Sequence, residues 1–446
     1  MRGNGDSWRK YRWHWKCAEK TVLTEKLIHY FRQIPDYRCG REKRHDLGEM
    51  LVCVTLGFLC GRTTIRRSLK WCKTHLEELR KHMNLKYGIA SPSTITRMLN
   101  GIDEELALYA FMEWIGEIVE SRNTHLAIDG KALCGATEKT KGETTPMLLN
   151  VVETVRGLIL AQLPVDSKTN EITAIPELLK LLDISGSIVT IDAVGTQTAI
   201  MEQIHEQGGY FVLTVKKNQP EAYEEIHTFM DKLGAEDLKR KKGEAMDPGM
   251  KEFLEKYEEI SQMEKNRDRN EYRTCQICKD ASNLTKSQKE WPHVQSIGRI
   301  KQVRIPKEKD SQGNDVTPSK EEFLEKGSRR IPAPSAGEGA GKDVQCTALI
   351  SDLILTAEEL GSIKRMHWSI ENRLHHVLDD TFREDRSPAK KSRNNLSLIR
   401  KYAYNILRLA MYETGLANIM TEMMDCFCDN AALRERYVFQ GIASLY

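Results

Sequence analysis

Two short apolar runs that each stop at an aspartate decide the fold: His-Leu-Ala-Ile-Asp-Gly-Lys at residues 125–131 and Ser-Ile-Val-Thr-Ile-Asp-Ala at residues 187–193. Each run is rich in aliphatic residues and ends at small ones, which predicts a buried strand. The neighbouring segments alternate in pattern, with strands predicted at 147–155, 158–165 and 210–215 and helices at 175–182 and 198–206. A hairpin followed by strand, helix and strand predicts an α/β fold built on a mixed sheet.

The segments on either side of this centre follow other patterns. Over residues 25–122, apolar residues recur at three- and four-residue spacings, which predicts an all-helical N-terminal domain. Residues 220–345 are rich in charge and include a polar, Gly-, Pro- and Ser-containing stretch near 306–343, which is typical of a loop. The α/β pattern then resumes, with long helices predicted at 358–382 and 394–412.

The composition indicates a globular protein and argues against several other classes. Hydrophobic residues make up 40% of the 446 residues and charged residues 29%, which is not the profile of a disordered chain. The longest apolar stretch, Leu47–Cys60, contains a glutamate and is too short to cross a bilayer. The chain begins without an apolar signal region, so we expect a cytoplasmic protein that does not enter a membrane.

The cysteines do not indicate a disulfide framework. There are eleven of them in a long chain, an odd number, and a reducing compartment is the simpler explanation. The pairs Cys275/Cys278 and Cys426/Cys428 each have the spacing of half a zinc site, but neither has a matching Cys or His pair nearby. Two interpretations stay open: a structural metal, or buried and idle thiols.

Positive charge is concentrated at the start of the chain. The net charge is only +3, yet residues 1–45 contain twelve Lys/Arg against five Asp/Glu. Within this segment, Trp8–Lys16 interleaves basic residues with aromatic rings, a pattern that suits phosphates and stacked bases. The alternative interpretation is a solvated leader that binds nothing.

Asp129 and Asp192 share a sequence context that points to metal chemistry. Each follows an apolar strand and precedes a small residue, and strand ends present side chains to a common cleft. Two carboxylates in one cleft repel each other unless a cation neutralises them, and oxygen ligands favour Mg²⁺ or Mn²⁺. Residue type alone also allows a turn or capping role for each aspartate.

The candidate third carboxylate is Glu371, in the segment Arg-Met-His-Trp-Ser-Ile-Glu-Asn-Arg-Leu-His at residues 365–375. Helical spacing places Trp368, Glu371 and His375 along a stripe beside the apolar face. A third carboxylate there would complete a pair of metal sites about 3.5–4 Å apart, the arrangement used for in-line attack at phosphorus. A solvated helical glutamate is the alternative.

Several motifs, in order along the chain, extend this picture from about Leu27 to Met411. They are Ile34-Pro-Asp36, Gly88-Ile-Ala-Ser-Pro92, Ile128-Asp-Gly-Lys131, Asn170-Glu-Ile-Thr-Ala-Ile-Pro-Glu177, Ile188-Val-Thr-Ile-Asp-Ala193, Lys216–Gln219, Trp291-Pro292, His367-Trp-Ser-Ile-Glu-Asn372, Leu374-His375 and Glu384-Asp385. On these motifs the chain resembles the H-repeat-associated (ISAs) group of bacterial insertion-sequence transposases, within the DDE superfamily.

The resemblance implies a ribonuclease-H-like catalytic domain whose acidic triad falls on Asp129, Asp192 and Glu371. It divides the chain into a basic aromatic leader at 1–24, a helical DNA-binding domain at 25–122, catalytic parts at 123–219 and 346–420, an insertion subdomain at 220–345 and a C-terminal tail at 421–446. Residues expected at the DNA are Lys131, Lys216, Lys217, Asn218, Gln219, Arg365, Trp368, Arg373, Lys390, Lys391, Arg393 and Arg400. Of these, Lys131 and Asn218 have two candidate roles, support of the carboxylates or contact with phosphate.

Some residues depart from the family pattern. His376 stands where relatives commonly have Trp, Asp380 where they have an aliphatic residue, and Lys217 where Gly is usual; these changes bear on activity level and DNA-end specificity. His375 and Asp379, four residues apart, could bind a metal or simply pack beside the helix. Residues 383–408 carry eight Lys/Arg, which suits either a phosphate-tracking surface or a solvated helix.

The function implied is cleavage of DNA at insertion-sequence ends and strand transfer into target DNA, with two Mg²⁺ or Mn²⁺ ions per active site. Because both ends are cut together, we expect a homodimer in the DNA complex. Two alternatives stay open: a transposase-derived DNA-binding protein without catalysis, and a metal-dependent nuclease that does not join.

Overall fold

The computed structural model describes residues 24–133, 145–165, 171–265, 269–284, 291–306, 308–309, 315–316, 344–387 and 389–445. Nearly all of the leader and of the polar stretch near 306–343 lie outside the described residues. The chain forms two compact units. The first unit contains the residues up to Ser187 and those from Ser369 onward, and the second contains Ile188–Trp368.

The first unit begins with helices, as predicted. They are α1 (Leu27–Gln33), α2 (Leu47–Leu59), α3 (Ile65–Thr74), α4 (Leu76–Leu79), α5 (Pro92–Gly101) and α6 (Glu104–Gly116). Side chains just before the helices fix several starts: Asp46 accepts from the Glu49 amide, and Ser91 accepts from the Thr94 amide with Pro92 as the first helical residue.

Three antiparallel strands follow in the first unit: β1 (His125–Ala132), β2 (Met147–Glu153) and β3 (Leu158–Val165). The predicted hairpin is confirmed, with Gly157 at φ +74° in its turn. The predicted end of β1 at Asp129 is wrong, because the strand continues to Ala132 and Asp129 lies opposite Asn150 in the ladder. Helix α7 (Glu171–Lys180) then begins earlier than its sequence pattern indicated.

The second unit is a mixed sheet with helices, which confirms the α/β class. Its elements are β4 (Ile188–Ile191), α8 (Thr198–Glu206), β5 (Tyr210–Val215), α9 (Pro220–Lys242), α10 (Lys251–Glu255), β6 (Tyr257–Lys265), β7 (Arg269–Cys278), β8 (Ser296–Pro306), β9 (Glu308–Lys309), β10 (Asp315–Val316), β11 (Val344–Ser351) and all but the last two residues of α11 (Ala357–Ile370). Strand β4 pairs with β5 in parallel, and β5, β11, β8, β7 and β6 then pair antiparallel in that order.

The segment after α11 is not the continuous α-helix that the sequence predicted up to residue 382. It forms two π-helical turns, Glu371–His375 and Val377–Thr381, followed by a short 3-10 turn, Glu384–Arg386. Such wide turns occur frequently at functional sites. The first unit closes with α12 (Arg393–Thr414), α13 (Met420–Asp429), α14 (Ala431–Arg434) and a π-helical turn at Glu435–Phe439.

Helices and sheet share one core in the first unit. Helix α12 contacts α2, α6 and β3, and the ring of Tyr402 packs against Phe31, Phe111 and Trp114. Gly57 lets α2 approach α3 closely, because an added Cβ would lie 2.1 Å from Cβ of Ser68. In the described part of the chain, no helix is both long and apolar enough to cross a membrane.

Candidate active site

Asp129 lies on β1 in the first unit, with its carboxylate at the surface of the sheet. Its Oδ1 accepts a hydrogen bond of 2.9 Å from the Gly130 amide, and its side chain is 30% exposed. Residues two apart on a strand point to the same face, so Lys131 lies on the same side of β1 as Asp129. The packing of the π-helical segment on that face creates the site described next.

The first π-helical turn brings Glu371 and His375 to Asp129. Nδ1 of His375 lies 3.4 Å from Oε2 of Glu371 and 3.7 Å from Oδ2 of Asp129. One ligand atom from each of the three residues lies within 4.8 Å of the other two. Among the described residues, no other set of three His, Cys, Asp or Glu side chains has this metal-binding geometry. The sequence left two roles open for His375, metal binding together with Asp379 or packing beside the helix, and in the structure Asp379 pairs with Lys131.

The three donors fit a divalent cation. The pKa of His375 lies below its usual value, mainly because the ring is buried. The positive charges of Lys131 and Lys401 lower this pKa further, and Glu371 raises it without reversing the shift. The imidazole is therefore neutral at pH 7 and retains a lone pair for a ligand. Asp129 and Glu371 repel each other in the absence of a cation. Two carboxylates and an imidazole suit Mn²⁺ well, whereas Mg²⁺ prefers oxygen ligands throughout.

Lys131 is buried beside this group and holds a cluster of carboxylates. Its Nζ lies 2.5 Å from Asp379, 3.4 Å from Asp385 and 3.6 Å from Glu384, and only 4% of the residue is exposed. Burial alone would lower the pKa of Lys131, but the three carboxylates raise it above its usual value. This geometry favours support of the carboxylates over contact with phosphate, the other role expected for Lys131.

Asp192 follows β4 in the second unit, as the sequence predicted, and has its own cationic partner. Its Oδ2 accepts from Nζ of Lys216 at 2.7 Å. Burial raises the pKa of Asp192, but the hydrogen bond and charge of Lys216, with the charge of Lys364, outweigh burial and hold the pKa below its usual value. Asp192 is therefore ionised at neutral pH, as a metal ligand must be.

The loop after Asp192 is held by two residues of the predicted DNA-contacting set. Nδ2 of Asn218 donates to the carbonyl of Ala193 at 3.1 Å, and Nε2 of Gln219 donates to the carbonyl of Thr196. Two positions before Asp192, Oγ1 of Thr190 on β4 lies within hydrogen-bonding distance of Nδ1 of His367, at 3.0 Å. These bonds hold the backbone on either side of Asp192, and the role of Asn218 stays a prediction.

The other residues expected at DNA differ in accessibility. Lys217, Arg373, Lys390 and Lys391 are exposed. Arg365 is half exposed and pairs with Glu264, and Arg393 is partly buried. Trp368 packs against the core of the second unit with Lys364 over its ring, while Arg400 is 3% exposed and lies over Phe58. Contact with DNA stays a prediction for all of them.

Sequence reasoning missed a buried polar network behind β1. Nζ of Lys401, on α12, donates to Oδ1 of Asn150 and Oε1 of Gln162, both at 2.5 Å. Asn405, one turn further along α12, bonds the backbone of Ile159 through both side-chain atoms. The available signal was the four-residue spacing of Lys401 and Asn405, which with Asn394 and Ser397 form a polar stripe on a helix whose other residues are largely apolar.

The cysteine pairs show no metal-binding geometry in the described residues. Cys275 and Cys278 lie on β7, and burial raises the pKa of each thiol to about 11. Cys428 accepts from Nη2 of Arg62 at 3.5 Å. Neither pair belongs to a group of three ligating side chains among the residues that the structure describes. The idle-thiol interpretation accounts for these observations.

Comparison with known proteins gives two family matches. Residues 120–406 match the family model described as Transposase DDE domain, and residues 28–115 match one described as DDE_Tnp_1-associated. The Putative protein YbfL of Escherichia coli K12 is 28% identical over 388 residues, which cover 86% of this chain and 90% of the relative. The H repeat-associated putative transposase YhhI of the same strain has the same identity and coverage.

A shorter relative and one solved structure were also found. The H repeat-associated putative transposase YbfD of E. coli K12 is 32% identical over 196 residues, which cover 44% of this chain and 78% of the relative. A piggyBac transposase in a synaptic complex with hairpin DNA is a remote structural match, with a TM-score of 0.39 and 10% identity over 91% of this chain and 77% of that one.

Proposed function

The chain belongs to the DDE transposase family, and on that premise we propose that it cuts DNA at insertion-sequence ends and transfers the freed strands into target DNA. The main support for this proposal is the group formed by Asp129, Glu371 and His375. These metal-binding side chains come from distant parts of the sequence, and their ligand atoms lie within 4.8 Å of one another. With Asp192, which the family places in the same triad, these residues are the proposed catalytic set.

The proposed chemistry is phosphoryl transfer without a protein-linked intermediate. Water attacks the phosphodiester at an element end, the bond from phosphorus to the 3′ oxygen breaks, and the products are a 3′-OH and a 5′-phosphate. The freed 3′-OH then attacks a second phosphodiester and displaces another 3′ oxygen. Asp129, Glu371 and His375 would hold a divalent ion, which would lower the pKa of the attacking water and neutralise charge on the phosphate.

The side chains have separate tasks in this scheme. Asp129, Asp192 and Glu371 are the metal-binding carboxylates, and neutral His375 is an additional nitrogen donor beside two of them. Lys131 keeps the turns that carry Glu371 and His375 against β1 by pairing with Asp379. Lys216 keeps Asp192 ionised. No Ser, Tyr or Cys nucleophile is needed.

Two proposals about the assembly follow from the reaction. Transposon-end DNA and target DNA are the partners, because both strand cleavage and joining act on phosphodiesters. Two ends must be cut in concert, so we propose a homodimer on paired ends. Because the donor set includes the imidazole of His375, we propose Mn²⁺ ahead of Mg²⁺: Mn²⁺ is a transition metal that tolerates a nitrogen donor beside carboxylates, whereas Mg²⁺ demands oxygen ligands in near-ideal octahedral geometry.

The test is cleavage and joining of DNA that carries the flanking element ends, with Mn²⁺ and then with Mg²⁺. Wild type is compared with Asp192→Ala, Glu371→Ala and the matched control Asp380→Ala, which removes an exposed carboxylate from the same helical segment. We expect both catalytic variants to bind DNA and neither to cut, while the control cuts normally. Rates are expected to be higher with Mn²⁺.

Each contrary outcome selects a different reading. If wild type binds the ends and never cuts, the chain is a DNA-binding protein descended from a transposase. If it cuts and never joins, it is a metal-dependent nuclease. Normal cutting by Glu371→Ala would show that the third carboxylate is wrongly assigned.

A further inference from the structure

A basic pocket in the first unit has no part in the chemistry above. It has a volume of about 560 Å³ and lies between the start of α3 and the segment that runs from the 3-10 turn into α12. Five arginines line it: Arg66, Arg67, Arg383, Arg386 and Arg400. We call it the arginine pocket.

The charge in the arginine pocket is of one sign. All of its lining residues belong to the described part of the chain, and none of them is acidic, while threonine and serine hydroxyls supply further donors. Helix α3, ten residues long, begins at the pocket, so its positive end adds to the field of the arginines. Four of the five, Arg66, Arg67, Arg383 and Arg386, are exposed and make no ion pair with a described residue.

Arg400 is the second, independent sign of a ligand. It is 3% exposed and lines the pocket, yet its Nε has no hydrogen-bond partner among the described residues. Its nearest carboxylate is Glu384, with Nη1 and Oε1 3.8 Å apart, beyond hydrogen-bonding distance. Leaving a guanidinium donor buried and unpaired costs free energy, which an anion in the pocket would offset.

Glu384 connects this pocket to the candidate active site. One of its oxygens lies 3.6 Å from Nζ of Lys131 and the other 3.8 Å from Nη1 of Arg400. Lys131 in turn shares a face of β1 with Asp129. An anion that attracted Arg400 would therefore act on the same buried ion-pair cluster that holds the Glu371 turn.

We propose that the arginine pocket binds a phosphate group of the DNA substrate. Guanidinium groups match phosphate oxygens in paired hydrogen bonds, and several converging arginines suit an anion of high charge. The volume lies within the range of about 300–1,000 Å³ found for pockets that hold small organic groups, so a nucleotide fits as well as a bare phosphate. The choice of DNA as the source rests on the proposed function; the phosphate chemistry does not.

The test is DNA binding in EDTA, where cleavage does not contribute. Fluorescence anisotropy is measured with element-end duplexes that carry either a 5′-phosphate or a 5′-hydroxyl, across a range of salt concentrations. The pocket variants are Arg66→Ala/Arg386→Ala and Arg383→Asn; asparagine is chosen because residue 383 has φ +53°, which asparagine tolerates. The control is Arg80→Ala, an exposed arginine of the same unit that pairs with Glu77 outside the pocket.

We expect each lost arginine to weaken binding about 10- to 100-fold and to reduce the slope of log K against log salt by about 1. The control should bind as wild type. A preference for the 5′-phosphate that the pocket variants lose identifies a strand end as the ligand, and equal loss for both duplexes identifies an internal phosphodiester. Either result supports the proposal.

Two outcomes overturn it separately from the proposed function. If pocket variants bind DNA with wild-type affinity and salt slope, the pocket does not hold a DNA phosphate, whatever the catalytic variants do. A second measurement follows thermal stabilisation by inorganic phosphate, expected for wild type and lost in Arg66→Ala/Arg386→Ala. Wild type that binds no DNA would overturn the DNA source and the proposed function together, while phosphate stabilisation that persists in the variant would overturn the pocket alone.

Discussion

The ion-pair cluster around Lys131 provides a quantitative test of how the first unit holds its carboxylates. The substitution Lys131→Met keeps most of the apolar stem and removes the ammonium that lies 2.5 Å from Asp379, 3.4 Å from Asp385 and 3.6 Å from Glu384. Three carboxylates then remain, and Arg400, 3.8 Å from Glu384, is the nearest cation still paired with any of them in the described residues.

The size of the effect depends on how far each carboxylate can regain water. Breaking a buried ion pair by removing one partner costs about 3–5 kcal/mol. The side chains of Asp379 and Asp385 are 30% and 31% exposed and can be solvated, whereas that of Glu384 is 2% exposed and cannot. We therefore expect a loss near the lower bound, about 3 kcal/mol. At about 2–4 °C per kcal/mol, the unfolding midpoint should fall by about 6–12 °C.

The stability deficit of Lys131→Met should also depend on pH, which gives a second and independent test. Burial raises the pKa of Asp379 even with Lys131 beside it, and removal of the ammonium raises that pKa further, so the folded variant keeps a proton that the unfolded chain releases. The deficit of Lys131→Met is then fully present above the raised pKa and shrinks as pH falls through it toward the unfolded value of about 4. The deficit at pH 5 should accordingly be smaller than at pH 8.

The assay is thermal unfolding followed by circular dichroism at pH 8 and pH 5, with tryptophan fluorescence as a second probe of unfolding. The matched control is Lys180→Met, an exposed lysine of that unit that pairs with Glu177, and its loss should change stability by less than about 1 kcal/mol. A midpoint for Lys131→Met within about 2 °C of wild type, roughly the effect of losing one surface ion pair, would refute the reasoning. A deficit that grows on acidification would refute it too.

Three further predictions concern other buried positions. Gly57→Ala should destabilise the first unit by about 1–3 kcal/mol in urea unfolding, because the new Cβ meets Ser68 at 2.1 Å, while Gly116→Ala, with open space around its Cβ, should change stability by less than about 1 kcal/mol. Burial lowers the pKa of Lys401 to about 7, so between pH 7 and pH 9 the folded protein releases a proton that the unfolded chain still binds. The free energy of unfolding of wild type should therefore rise by about 2–3 kcal/mol relative to that of Lys401→Met over this range. Equal pH profiles of stability would contradict this. Burial raises the pKa of Asp352 to about 6, so between pH 4 and pH 6 the folded protein keeps a proton that the unfolded chain releases. The free energy of unfolding of wild type should fall by up to about 3 kcal/mol relative to that of Asp352→Asn over this range. Parallel stability curves would show that Asp352 is not buried as described.

Much of the fold was accessible from local pattern. The hairpin of β2 and β3 and the cap formed by Ser91 and Pro92 all appear where the sequence places them. Helix α9 was not predicted from the sequence, although its residues Ile226, Phe229 and Leu233 recur at helical spacing and are buried. The dense charge of that region conceals its periodicity, because only a narrow stripe of the helix is apolar.

The candidate site was accessible in part. The strand contexts of Asp129 and Asp192 indicated metal-binding carboxylates, and the family motifs indicated Glu371. For His375 the four-residue spacing to Asp379 allowed either a metal pair or packing beside the helix, and it did not indicate Asp129 as a neighbour. The structure pairs His375 with Asp129 and pairs Asp379 with Lys131, since the π-helical turns and their packing on β1 decide which side chains meet.

The sequence by itself determined the order and type of most elements, because periodicity, caps and turns act between residues a few positions apart. It also determined the reaction class, through motifs that need no geometry to be recognised. Only the tertiary structure decided which charges are buried together: Lys131 with three carboxylates, Lys401 with two amides, and Arg400 beside an arginine pocket. These pairings join residues as far as 254 positions apart, and their energies depend on burial and on distances of a few ångströms, which local sequence does not encode.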